Sequence, residues 1–295
     1  MSQAQSQAYA PTGDRGAGTG RPAPARSPET ALTGVPHVLD NPAHAALNGT
    51  HAHLAERRGR VVRYPLDVSP WLGLPDDPGP QDWLDLADLV GPDTEVHLPG
   101  VRVSPPEGWT ATSQHEGVQL VDDGLVPAHD PETVRLGPAD VPEMLELVAR
   151  TRPGPFLPRT VELGTYLGIR RGGTLIAMAG ERLRPPGWAE ISAVCTDPAY
   201  RGQGLATRLV RAVAAGIGER GETSFMHASA GNTGAILLYR RLGFALRRTT
   251  EFGSVRTPAR GVQRRCGRAR RRRYSAAATT PTVTRAPPPI RVTLR

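Results

Sequence analysis

The chain has 295 residues, enough for one large or two ordinary domains around a buried core, and a formal net charge of +8. It contains no lysine, which excludes a Walker phosphate loop, a pyridoxal Schiff base and a kinase-type catalytic lysine. Its two cysteines, Cys195 and Cys266, offer neither a disulfide framework nor a metal-ligand set. No run approaches the ~20 apolar residues of a membrane span, and the first residues lack the apolar centre of a signal peptide. A cytoplasmic protein with no membrane partner and no metal is expected.

Residues 1–34 are rich in Ser, Gln, Ala, Gly, Pro and Thr and carry few large apolar side chains, so a disordered arm is expected. Residues 35–125 are patterned like a small α/β domain. Asn41-Pro42 opens a helix expected to reach residue 56. A strand at 61–64 and a short helix at 81–90 follow, then strands at 96–103 and 117–121. His44, His51 and His53 have no acid–histidine spacing that completes a metal set and are expected as solvated helix residues. A polar linker leads to a strand at 133–136 and a helix from Asp140, where Asp140 and Glu143 have capping-box spacing and Val141, Met144, Leu145 and Val148 form one apolar face. Pro153, Pro155 and Pro158 make the next stretch irregular. Apolar runs at 165–170, 174–183 and 188–196, separated by glycine and proline turns, predict three consecutive antiparallel strands.

The third of these strands ends at Asp197, and Leu205, Leu209, Val213 and Ile217 then recur at helical spacing. Gly202 and Gly204 fall between, where the backbone must turn sharply and a ligand can lie against it. The unpaired first amides of the helix and its dipole suit that end to phosphate. A dinucleotide fingerprint fails, because its third glycine position is Thr207 and residues 223–229 carry no acid for a ribose. What remains is Arg201-Gly202-Gln203-Gly204-Leu205-Ala206, an Arg-x-x-Gly-x-Ala turn, followed by Asn232, Ala235, Tyr239, Gly243 and Phe244 in an Asn-x-x-Ala…Tyr-x-x-x-Gly-Phe pattern. Over residues 133–252 the sequence resembles the GNAT superfamily of acetyl-CoA-dependent N-acetyltransferases.

The resemblance implies an α/β (α+β) GNAT fold at residues 131–253, a central and mostly antiparallel mixed sheet flanked by helices. It is preceded by a smaller α/β domain lacking cofactor motifs, as in some two-part members. It also implies acetyl-CoA as co-substrate, an amine acceptor, and an association into homodimers that is common in the superfamily. The main chain of Val194, Cys195 and Thr196 would hold the pantetheine arm. Arg201, Gly202, Gln203, Gly204, Leu205, Ala206 and Thr207 would hold the pyrophosphate, and Asn232 would cap a helix and touch the cofactor. Tyr239 would protonate the departing thiolate, the alternative being a packed tyrosine. Cys195 reads as a small apolar filler. For the base, Glu190 is the first candidate, sharing a face with Ser192, Val194 and Thr196 by strand alternation; the alternatives are an exposed or paired strand-end carboxylate, His227, or a chain of waters. Phe156, Arg159 and Glu162 are candidate acceptor contacts.

Residues 254–295 hold twelve arginines and no acid, so the rest of the chain carries −4. A disordered extension is expected, with nonspecific, salt-sensitive binding to nucleic acid or another polyanion as its possible activity. Three readings stay open at this point: an N-acetyltransferase acting on a primary amine, a non-catalytic acyl-CoA-binding module, and a polyanion binder working through the tail.

Overall fold

A computed structural model of the chain describes residues 37–99 and 104–259. The arm expected at 1–34, the end of the strand expected at 96–103, Cys266 and the tail from residue 260 lie outside the described residues. Helix α1 (Pro42–Asn48) buries Ala43, Ala46 and Leu47. It stops at Gly49, short of the expected residue 56, and a 3-10 turn (Ala52–Leu54) follows. Asn41 sits at its start but uses its amide to donate to Leu74 O (2.7 Å) and Asp76 Oδ1 (2.8 Å), fastening the helix to a loop rather than capping it. Strands β1 (Glu56–Arg58), β2 (Val61–Arg63) and β3 (Leu72–Gly73) form a small antiparallel sheet. Helix α2 (Pro80–Val90) packs Trp83 and Leu86 against it; Asp82 accepts from Gly79 N (2.7 Å) and pairs with Arg60.

The remaining strands are β4 (Glu95–Pro99), β5 (Thr110–Asp122) and β6 (Thr133–Leu136), then, after helix α3 (Val141–Thr151), β7 (Tyr166–Arg171), β8 (Thr174–Glu181) and β9 (Trp188–Thr196). Helix α4 (Leu205–Glu219), β10 (Thr223–Ser229), helix α5 (Thr233–Leu242) and β11 (Phe244–Arg256) complete the order. All eight strands join one sheet in the order β4-β11-β5-β10-β9-β8-β7-β6, antiparallel throughout except for β9 and β10, which run parallel. This is the mixed sheet flanked by helices that the motifs imply. Leu205, Leu209, Val213 and Ile217 of α4 pack with Ala177, Ala189 and Ile191 in one core layer; Met144 and Leu147 of α3 pack with Tyr166, Met178 and Cys195 in another. Each such large buried side chain contributes about 1.5–3 kcal/mol.

Three expectations need correction. The boundary placed between residues 125 and 131 does not divide the sheet: β5 lies between β10 and β11, and β4 pairs with the far side of β11. Residues 37–99 and 104–125 thus build a small lobe and also complete the central sheet. The closing strand continues to Arg256, because β4 and β5 pair with it on both sides, and so passes the limit expected at 253. Its poor apolar pattern at 247–248 has a local cause: a register shift there accompanies Arg247 and Arg248 both reaching Asp40 Oδ1 (2.7 and 2.8 Å). Finally, Asp140 and Glu143 do not form a capping box. Asp140 accepts from Gly137 N, and Glu143 accepts from Leu175 N and pairs with Arg170, so both tie α3 to its neighbours. Among the described residues no helix is long and apolar enough to cross a membrane.

Candidate active site

Strands β9 and β10 pair only where they begin, Trp188–Glu190 against Thr223–Phe225. Beyond that point no pairing holds them, and a cavity of about 1140 Å³ is lined by β9 from Ile191 onward, by the glycine turn, by the start of α5, and by side chains from β4, β5 and β11. On its other edge β9 shifts register against β8 between Met178 and Gly180, and Ala193 takes φ +52°. A left-handed alanine within a strand marks a bulge, a feature that commonly re-aims strand residues beside a site.

At the turn, the Asp197 carboxylate accepts from Ala199 N (3.0 Å) and pairs with Arg150, anchoring the chain before it reverses. Gly202 and Gly204 have φ +80° and +73°, and a Cβ on either would meet nothing within 4 Å. The turn therefore needs glycine for its conformation and leaves open space above it. The first bond of α4 runs from Arg208 N to Gly204 O (3.1 Å). The amides of Leu205, Ala206 and Thr207 precede it and line the open end of the helix. This cradle fits a pyrophosphate in charge and shape. Arg201, Gly202, Gly204, Leu205, Ala206 and Thr207 all line the cavity, as do Val194, Cys195 and Thr196; Gln203 does not.

Asn232 Oδ1 accepts from Ala235 N (3.2 Å), capping α5, and Asn232 also lines the cavity. One face of α5 carries Tyr239, which is buried, packs edge-on to Phe244 and contributes to the cavity wall. Burial, with a smaller contribution from Cys195, pushes its hydroxyl up to about 12, so it is held as a proton donor. Cys195 packs with Met144 and Leu147, and burial pushes its thiol up to about 11, which suits a filler and not a nucleophile.

Glu190 departs from its expected role. Alternation put it on one face with Ser192, Val194 and Thr196, but the bulge breaks the phase: Val194 packs with Ala189 and Ile191, while Ala193 and Cys195 pack toward α3. Glu190 itself is fully buried and does not line the cavity. Burial alone would raise its pKa, but Arg182 (Nη2 to Oε1, 2.6 Å; Nε to Oε2, 3.0 Å) and His227 (2.8 Å) outweigh it and hold the carboxyl down to about 2. A carboxylate so stabilised is a poor base. The paired-carboxylate alternative is the one that the geometry supports.

His227 lines the cavity in front of it, and its tautomer follows from its neighbours. Arg247 donates to Gln119 Oε1 (2.7 Å), and Gln119 Nε2 donates to Leu39 O (2.8 Å), which fixes the amide's orientation. Gln119 Nε2 then donates to His227 Nε2 (3.0 Å), leaving His227 Nδ1–H to donate to Glu190. No Asp or Glu lines the cavity among the described residues.

The expected acceptor contacts lie elsewhere. Phe156 is buried edge-on to Tyr166, and Arg159 pairs with Glu162 and Asp67 away from the cavity. The cavity is lined instead by Trp71, His97, Ser113, His115, Phe252 and Ser254 among others, most of these from the first half of the chain, where no motif or spacing signals them. Nor is His51 solvated: it is buried, bonded to Tyr64 Oη (2.8 Å) and Leu163 O (3.0 Å), and burial lowers its pKa to about 4.

Residues 166–253 match the family model of FR47-like protein. A solved structure from Novosphingobium aromaticivorans DSM 12444, described as an acetyltransferase from the GNAT family, is 40% identical with a TM-score of 0.68; the match covers 75% of this chain and 98% of that one. N-alpha-acetyltransferase RimI of Mycobacterium tuberculosis (strain ATCC 25618 / H37Rv) is 39% identical over 82 residues, 27% of this chain. The match spans 51% of that relative, about half its length. A GCN5-related N-acetyltransferase from Kribbella flavida shares the fold at 19% identity, with a TM-score of 0.50 over 75% of this chain and 96% of its own. With a glycine cradle at the mouth of α4, a splayed parallel strand pair and a relative matched over nearly its whole length, this chain belongs to the GNAT superfamily of N-acetyltransferases.

Proposed function

We propose that the protein transfers the acetyl group of acetyl-CoA to a primary amine by direct attack. The observation that carries this reading is that one cavity joins the glycine cradle and Tyr239 to a second wall able to receive an acceptor. Acetyl-CoA supplies a thioester carbonyl as the acyl donor. The amides of residues 202–207 bind its pyrophosphate, and the free edge of β9 past Glu190 pairs with the pantetheine arm and offers an amide to the carbonyl oxygen. The Tyr239 hydroxyl gives its proton to the leaving sulfur. The amine's proton leaves through water, since among the described residues no carboxylate lines the cavity and His227 Nε2 is taken by Gln119.

Calorimetric titration of acetyl-CoA into the intact chain and a Gly204→Asp variant tests the site, with circular dichroism as the control for folding. Binding by the intact chain, lost in the variant, is the expected result; no binding by the intact chain overturns the reading. Binding without thiol release by any amine would move the protein to the non-catalytic acyl-CoA-binding class.

A further inference from the structure

We infer that the acceptor end of this cavity takes a primary amine borne on an aromatic or apolar body with no second positive charge, and that it excludes polycations. The inference rests on the acetyltransferase reading and names the acceptor class of that same site.

Its first support is charge. The charged side chains of the cavity wall are Arg152, Arg182 and Arg201; Arg182 is paired behind the wall with Glu190, and among the described residues no carboxylate lines the cavity itself. A second ammonium on the acceptor would enter without a counterion, and an unpaired charge in a confined site is costly. Glu190 does not serve, because Arg182 and His227 already occupy it and stand between it and the cavity.

Shape and surface chemistry are the second support. Trp71, Phe252 and His227 form a continuous ring wall, with centroids 6.5 Å apart for the first pair and 5.6 Å for the second. Rings in this arrangement favour a flat or apolar partner. The Arg182 guanidinium already lies 3.9 Å over the Trp71 ring, so that face is not free for a ligand cation. The polar groups of this wall are hydroxyls and imidazoles: Ser113, His115, and the Ser254 hydroxyl bonded to His97 Nδ1 (2.7 Å). They can hydrogen-bond an amide or hydroxyl but supply no fixed negative charge.

The same features help the chemistry. A cavity lined by arginines and, among the described residues, by no carboxylate disfavours the ammonium form and favours the neutral amine, the form that attacks. The environment thereby does part of what a dedicated base would do. The wall residues at 71, 97, 113 and 115 lie outside the stretch matched at 166–253, while Arg182, His227 and Phe252 lie within it, so both halves of the chain shape the acceptor end.

Two sources could present such an amine, a small aromatic amine or an uncharged chain end. Thiol release is measured with tryptamine, with the dipeptide amide Phe-Ala-NH2, with spermidine and with kanamycin, and binding of the same four is measured by calorimetry in the presence of CoA. Tryptamine or the dipeptide amide should be used at least 10-fold better in kcat/KM than either polycation, and whichever of the two is preferred assigns the source. His115→Glu, at an exposed wall position, and Ser113→Asp, in case the first is insensitive, should each improve spermidine binding about 10-fold relative to tryptamine. Equal or better use of spermidine or kanamycin by the intact chain overturns the inference, as does an unchanged ratio in both variants or the failure of all four amines to bind. Should acetyl-CoA itself not bind, the enzyme reading falls, while the order of amine binding still decides the acceptor class.

Discussion

The two walls of the cavity are built in opposite ways. The cradle wall comes from one nearly continuous stretch, residues 191–207, joined by Asn232 and Tyr239 from α5. The ring wall is collected from β4, β5, β10, β11 and the loop before β3, residues that stand up to about 180 positions apart in the chain and meet only because β5 inserts between β10 and β11. A wall of local origin is held by turn geometry and helix ends. A wall of distant origin is held by a polar network, Arg182–Glu190–His227–Gln119–Arg247–Asp40, that is buried at Glu190, His227 and Gln119 and crosses the sheet to a partly exposed end at Asp40. The first can be substituted with local consequences, whereas the second should fail as a unit.

Tyr239→Phe is the sharpest break in the cradle wall. It should lower kcat by roughly 10²–10⁴-fold, as expected for loss of a positioned acid, while calorimetric acetyl-CoA affinity stays within about 3-fold. An equal loss of kcat and affinity would make the tyrosine a packing residue. On the ring wall, Arg182→Ala leaves the Glu190 carboxylate buried with His227 alone and should cost about 3–5 kcal/mol of stability, read as a fall in urea midpoint. Acetyl-CoA binding by the folded fraction should persist. A loss below 1 kcal/mol would mean that the network does not act as a unit.

The small lobe gives a third, pH-dependent effect. His51 has a folded pKa of about 4 against 6.5 unfolded, so the unfolded state binds the proton more readily. The stability this contributes is fully present above pH 6.5 and is lost as pH falls toward 4. Its size is at most about 3 kcal/mol. In urea titrations between pH 7 and pH 4, a His51→Gln variant should show a shallower decline than the intact chain; parallel declines would show that other groups carry it. The smallest effect belongs to the α5 cap. Asn232→Ala should cost about 1 kcal/mol, measured by thermal melting, together with a weaker hold on acetyl-CoA because the same residue lines the cavity.

The legible part of this molecule was the part whose physics is local. Apolar runs at 165–170, 174–183 and 188–196 correspond to β7, β8 and β9, and the apolar spacing from Leu205 corresponds to α4, because burial is written in nearby residues. Gly202 and Gly204 were legible because left-handed backbone angles select glycine. Glu190 was misplaced because alternation assumes an unbroken strand, and no residue type announces a bulge at an alanine. Phe156, Arg159 and Glu162 were misplaced because a proline-broken segment has no periodicity to say which side it shows.

From its sequence alone this chain had a determined family turn, a capped helix bearing Tyr239 and an ordered run of strands, each set by side-chain period, glycine conformation or helix-end chemistry over a few neighbouring residues. The tertiary structure decided which residues of the first half of the chain reach the cavity, that Glu190 is paired and low in pKa, and that among the described residues no carboxylate lines the cavity. These depend on long-range strand pairing and on burial, and both arise only when residues distant in sequence exclude water together.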